Sequence, residues 1–132
     1  MDAFVGNDDS MTEQTGNTTE RRGLFIRKKK LMLKQADILY IESRAKKVEI
    51  HIVNAAESIE IYATMERLEE RLGENFYRCH RAYLVNMAYI AEYGSDSITL
   101  MNGDRVHMAK KRYRMFAQAY QNYLRNGGVP GV

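Results

Sequence analysis

Between Ile38 and Ala63 apolar side chains recur at every second position, and no other pattern restricts the fold of this chain as much. Val48, Ile50 and Ile52 alternate with Glu49, His51 and Val53; Ile59, Ile61 and Ala63 alternate with Glu60 and Tyr62; Ile38, Tyr40 and Glu42 alternate with Leu39, Ile41 and Ser43. Successive side chains of a strand point to opposite faces, so a period of two predicts strands with one buried face. Asn102-Gly103, between alternating runs over 97–109, predicts a hairpin closed by a type I′ turn, because these residues accept positive φ. Leu24 to Leu33 reads as a further extended stretch interrupted by Arg27-Lys28-Lys29-Lys30, where long basic stems decorate an edge that would otherwise invite pairing.

Two segments change to helical spacing. Thr64 is placed to cap a short helix over Met65 to Leu72, with Met65, Leu68 and Leu72 on one face, Glu66, Glu69 and Glu70 on the other, and Gly73 to end it. The second helix runs from about Lys111 to Leu124, with Tyr113, Phe116, Ala117, Tyr120 and Leu124 on its inner face. Its start carries Lys110, Lys111, Arg112 and Arg114, at the end of the helix dipole where acidic side chains are favoured by a few tenths to about 1 kcal/mol each. Misplaced charge of this kind points to a bound anion.

The 132 residues suffice for one domain with a real core. Uninterrupted apolar runs such as Ala82 to Val85 are far short of the roughly 20 residues of a membrane span, and no basic-then-apolar leader opens the chain. The lone Cys79 excludes an intramolecular disulfide framework and suits a reducing cytoplasm. The formal charge of +3 is unevenly spread: residues 1–20 hold five acidic side chains and no Lys or Arg, which leaves +8 on the remainder. Residues 1–22 therefore read as a flexible acidic linker or leader, 23–126 as the domain, and 127–132 as a disordered tail.

Phe76-Tyr77-Arg78-Cys79-His80-Arg81-Ala82-Tyr83-Leu84-Val85-Asn86 closely resembles the Phe-x-Arg-x-His-Arg-Ser-Tyr-x-Val-Asn signature of the LytTR family, the DNA-binding domains of bacterial response regulators of the LytR/AlgR/AgrA type. The Ile38 to Glu42 strand, the Leu68, Leu72, Phe76 spacing, the Asn102-Gly103 hairpin and the basic stretch before the last helix extend the resemblance over about Leu24 to Leu124. The resemblance implies a mainly β, antiparallel fold of about ten short strands with one short helix and a C-terminal helix. It further implies sequence-specific binding of double-stranded DNA in bacterial transcription regulation, through edge loops set into successive major grooves. Two copies are expected on direct-repeat sites, with a receiver domain or partner reached through the N-terminal linker, and no cofactor.

Carried onto this chain, the family's contact regions become Arg44, Lys46 and Lys47 after the Ile38 to Glu42 strand, His80 and Arg81 in the signature, and Lys110, Lys111 and Arg112 before the last helix. A guanidinium can bond in bidentate fashion to the O6 and N7 edge of guanine, whereas an ammonium acts more as a point charge toward phosphate. Arg81 and Arg44 are thus the expected base readers, Lys46, Lys47, Lys110 and Lys111 the expected phosphate neutralisers, and Arg112 suits either role. The chain departs from the family where it has Val48 or Lys47 in place of histidine, Arg81 in place of asparagine, and Ala82 and Ala109 in place of serine, which makes its contact chemistry more cationic.

Other chemistries find less support. Cys79 and His80 are neighbours in an extended segment and would face apart, against a thiol nucleophile with a histidine base, and no catalysis is expected. His51, His80, His107 and Cys79 lack the short paired spacings of zinc sites, so no metal is expected. The nine tyrosines raise single-stranded nucleic acid as an alternative, although Tyr40, Tyr83, Tyr89, Tyr113 and Tyr120 fall at core positions of the pattern. A protein-interaction module using the Arg27 to Lys30 edge is the remaining alternative.

Overall fold

The computed structural model describes residues 23–27 and 29–127. The expected acidic leader over 1–22, Lys28, and all of the expected 127–132 tail except Gly127 lie outside the described residues. Ten strands and two helices follow in order: β1 (Leu24–Ile26), β2 (Leu31–Leu33), β3 (Ile38–Arg44), β4 (Lys47–Ile52), β5 (Ile59–Tyr62), α1 (Met65–Leu72), β6 (Phe76–His80), β7 (Tyr83–Asn86), β8 (Ile90–Tyr93), β9 (Ser97–Leu100), β10 (Arg105–His107) and α2 (Tyr113–Arg125). A five-stranded sheet in the order β5-β4-β3-β7-β6 is the centre of the fold, beside a three-stranded sheet β10-β9-β8 and the β1-β2 hairpin, all antiparallel.

The alternation in the sequence becomes two apolar cores. Ile41, Val48, Ile50, Ile61 and Leu84 meet Met65, Leu68 and Leu72 of α1 together with Leu24, Ile26 and Leu33 of the hairpin. Leu39, Cys79 and Val85 meet Ile98, Leu100 and Val106 of the small sheet and Phe116 and Tyr120 of α2. Strict alternation would put Ile38 and Tyr40 on one face. A bulge between them in β3 gives Ile38 to the first core and Leu39 and Tyr40 to the second.

Three local expectations are revised. The 24–33 stretch is a hairpin whose Arg27, Lys29 and Lys30 lie in its turn rather than along an edge, with Lys30 at φ 49°. The Asn102-Gly103 turn is a three-residue loop: Gly103 N–H donates to Leu100 O at 2.9 Å, and Gly103 has a φ of 95° while Asn102 is not at positive φ as type I′ requires. Finally, Lys110–Arg112 forms a separate 3-10 turn before α2, which begins at Tyr113, and Tyr113 is exposed rather than on the inner face. Helix α1 follows its local signals, with Thr64 Oγ1 accepting from Arg67 N–H at 3.2 Å and Gly73 at φ 86° closing it.

Candidate nucleic-acid interface

Strand direction alone gathers the basic segments. β3 and β4 close at Arg44 and Lys47 through Ala45-Lys46, and β6 and β7 close at His80 and Tyr83 through Arg81-Ala82. Because Glu42 of β3 pairs with Tyr83 of β7, both turns fall at the same end of the five-stranded sheet. Ser43 N–H donates to Ala82 O at 2.9 Å, which ties one turn to the other. On the far side of β6, Ala109 N–H donates to Cys79 O at 3.0 Å and sets the Lys110–Arg112 turn beside the same end. The three cationic segments thus form a row spanning about three and a half strand spacings, roughly 17 Å.

Within that row the side chains differ in freedom. Lys46, Arg81, Lys110 and Lys111 are exposed. Arg44 is half exposed, with Nε 3.5 Å from Glu49 Oε1, and Lys47 lies 3.7 Å from Glu60 Oε1 and 5.0 Å from the centre of the Tyr62 ring. Exposed ion pairs of this type are worth little, about 0–1 kcal/mol, so phosphate can displace them. Arg112 is committed differently: its half-buried guanidinium donates from Nη1 to Arg78 O at 2.7 Å. At least that donor serves the scaffold.

Arg78, to which the signature resemblance assigns no contact, organises the centre of the row. Its side chain is 14% exposed and reaches Glu69 Oε1 on α1 at 3.2 Å. The same guanidinium donates from Nη2 to Arg81 O at 2.8 Å. A fork of fixed geometry links the acidic face of α1 to the turn that presents Arg81. The arginine of the signature was visible in the sequence, but its partner lies nine residues earlier across a helix-to-sheet contact that no local pattern reveals.

His80 holds the turn from within, its Nδ1 accepting from Ala82 N–H at 3.0 Å. That bond requires a lone pair on Nδ1, which leaves the proton of the neutral ring on Nε2. Burial, then the nearby His107, Arg81, Arg112 and Arg78, lower its pKa from the ordinary histidine value and favour this neutral form. His107 is exposed, and its ring centre lies 6.3 Å from that of His80.

The bulge between Arg78 and His80 sends Cys79 into the second core, where its fully buried thiol contacts His107 O at 3.4 Å. Burial pushes the thiol pKa up to about 12, the opposite of what a nucleophile needs. Asn86, the last signature residue, is buried and donates to Gln35 O at 3.1 Å and Ile38 O at 2.9 Å, which fastens the start of β3. The signature therefore contains both the presented Arg81 and the residues that hold it. No helix among the described residues is long and apolar enough to cross a membrane.

A sequence model described as the LytTr DNA-binding domain matches residues 28–121. No curated protein matches the sequence. Among solved structures, the fold is similar to a chain described as the LytTr DNA-binding domain of a methyl-accepting/DNA response regulator from Bacillus cereus, with a TM-score of 0.58 and 21% identity, covering 69% of this chain and 86% of that one.

Proposed function

This chain belongs to the LytTR family of DNA-binding domains, and on that premise we propose that it recognises double-stranded DNA in a sequence-specific manner through the row of cationic turns at one end of its five-stranded sheet. The observation that carries the reading is the convergence of Arg44, Lys46 and Lys47, His80 and Arg81, and Lys110 and Lys111 at that end. Arg81 and Arg44 read base edges, and the lysines neutralise phosphates. A row of roughly 17 Å between backbones, lengthened by the side chains at each end, is wider than one major groove of about 12 Å. It therefore suits contacts that reach from one groove toward the next. Transcription regulation in a bacterial cytoplasm, two copies on a direct repeat, and attachment to a receiver domain through the N-terminal segment complete the proposal.

The test is selection of ligands from random duplex DNA and from RNA, followed by anisotropy titration. Duplex DNA is expected to win, and enrichment of RNA would overturn the reading. Neutralising about six phosphates gives a slope near −5 for log affinity against log salt. Arg81→Ala is expected to cost about 1–3 kcal/mol and to relax one base position. Arg125→Ala, about 20 Å further along α2 from its start, is expected to change little. Equal losses for the two would refute the placement of the interface.

A further inference from the structure

The face of β3 and β4 behind the first cationic turn carries a different cluster. Glu42 and Glu49 are directly opposed in the β3-β4 register, and His51 follows two residues later. Like charges directly opposite each other on an antiparallel ladder destabilise it, so this pair calls for a cation between the strands. The cation beside the pair is Arg44, with Nε 3.5 Å from Glu49 Oε1. His51 Nε2 lies 3.3 Å from Glu42 Oε1 and 3.7 Å from Glu49 Oε1. One donor atom from each of the three residues falls within 4.8 Å of the others, and all three side chains are half-buried.

The spacing distinguishes two roles for these atoms. Charge-assisted N–H to carboxylate hydrogen bonds are about 2.7–2.9 Å long, whereas His51 makes one long hydrogen bond to Glu42 at 3.3 Å and lies 3.7 Å from Glu49, beyond hydrogen-bond distance. A tetrahedral ion with metal-donor bonds of about 2.0–2.1 Å holds its donors roughly 3.3 Å apart. The His51–Glu42 edge has that separation, the His51–Glu49 edge is 0.4 Å longer, and the two carboxylate oxygens lie within 4.8 Å of each other, so a bound ion draws the donors together. The surroundings also orient the donors: the Tyr40 ring stacks on His51 with centres 4.2 Å apart and planes at 10°, and Tyr40 OH is anchored on Asp104 Oδ2 at 3.0 Å. Ser58 Oγ donates to Glu49 Oε2 at 3.2 Å and leaves Oε1 to face His51. Outer partners of this kind fix ligand orientation in metal sites.

We propose that Glu42, Glu49 and His51 form a binding site for a divalent transition-metal ion of the zinc class, with an open fourth position. One imidazole nitrogen and two carboxylate oxygens suit Zn²⁺ or Co²⁺, whereas Mg²⁺ and Ca²⁺ prefer all-oxygen shells. Carboxylates from paired strands supply two of the three donors, so the cluster lacks the closely spaced histidines and cysteines that mark zinc sites in a sequence. The acidic pair lies two residues, about 7 Å, from the β3-β4 turn, which is within the screening length at physiological salt. Metal binding replaces Arg44 on Glu49 Oε1 and cancels two negative charges there. Resting on the DNA-binding reading, the ion is then expected to raise affinity for duplex DNA.

The site itself is tested without DNA. Zn²⁺ titrated by calorimetry is expected to bind one ion per chain, and Co²⁺ to show the visible absorption of a low-coordinate site, while Mg²⁺ gives neither. His51→Gln or Glu42→Gln is expected to weaken Zn²⁺ at least as much as the about 10–100-fold typical of losing an outer partner, and Ser58→Ala to fall near the lower end of that range. His107→Gln, which removes an exposed histidine outside the cluster, leaves Zn²⁺ binding unchanged. Absence of Zn²⁺ binding, or binding that survives His51→Gln and is lost in His107→Gln, overturns the proposal. Anisotropy with and without Zn²⁺ at fixed ionic strength then tests the coupling: a several-fold gain that disappears in His51→Gln supports it, and Zn²⁺ binding with no gain confines the proposal to the metal site. Failure of DNA binding alone leaves the calorimetric result standing.

Discussion

Arg78→Lys separates the placing of Arg81 from the charge that places it. Lysine keeps one cation near Glu69 but lacks the fork that also reaches Arg81 O, now 2.8 Å away. A hydrogen bond to a charged donor contributes about 1.5–3 kcal/mol. Arg81 is exposed, so its released carbonyl can turn to water and the loss falls near the lower end, about 1.5 kcal/mol, or roughly ten-fold in Kd. The contact to Glu66 at 3.8 Å adds almost nothing, because that carboxylate is 77% exposed. Arg112 bonds to the backbone carbonyl of residue 78, so the Lys110–Arg112 turn keeps its anchor in the variant. The assay is anisotropy on a selected duplex for the wild type, Arg78→Lys, Arg81→Ala and the double variant, with thermal melting of each to confirm folding. If Arg78 acts through Arg81, the double variant binds no more weakly than Arg81→Ala, to within about 0.5 kcal/mol. Strictly additive losses would falsify the positioning role.

Stability is expected to fall below about pH 6.5 through His80. Its pKa is lowered in the fold, so as pH drops the unfolded chain takes up the proton first; the contribution is intact above the ordinary histidine value and is lost as pH falls toward the lowered one. Urea unfolding at pH 7.5 and 5.5 measures this slope, and a slope unchanged in His80→Gln refutes the assignment. Phe116 is fully buried, so Phe116→Ala is expected to cost about 3–5 kcal/mol, against within about 0.5 kcal/mol for the largely exposed Met115→Ala, as read by denaturant melts. Cys79, with its thiol pushed up to about 12, is expected to resist a disulfide-exchange reagent in the native protein at pH 8 and to react on unfolding. Rapid native labelling would contradict its burial.

The elements that local rules govern are legible in the amino-acid sequence. Strands β4 and β5 follow from strict alternation, and α1 from its cap, its apolar stripe and its terminal glycine, because these signals lie within a few residues of what they specify. The signature resemblance implied the mainly β fold and the three basic segments. Local patterns misread two places where the backbone gains a residue: the β3 bulge, which changes the face that Tyr40 meets, and the three-residue loop at Gly103, which replaces a two-residue turn. Which cations share one end of the sheet depends on long-range contacts, the pairing of β3 with β7 and the bond between Ala109 and Cys79. Side-chain hydrogen bonds also separate Arg81, which is presented, from Arg78 and Asn86 of the same signature, which hold the turn and the start of β3. Glu42 and His51 stand nine residues apart in sequence and meet because β3 and β4 are paired. Periodicity fixes a residue's face within its own strand, whereas its neighbours on that face depend on the register of other strands, and that register is settled by burial across the whole domain.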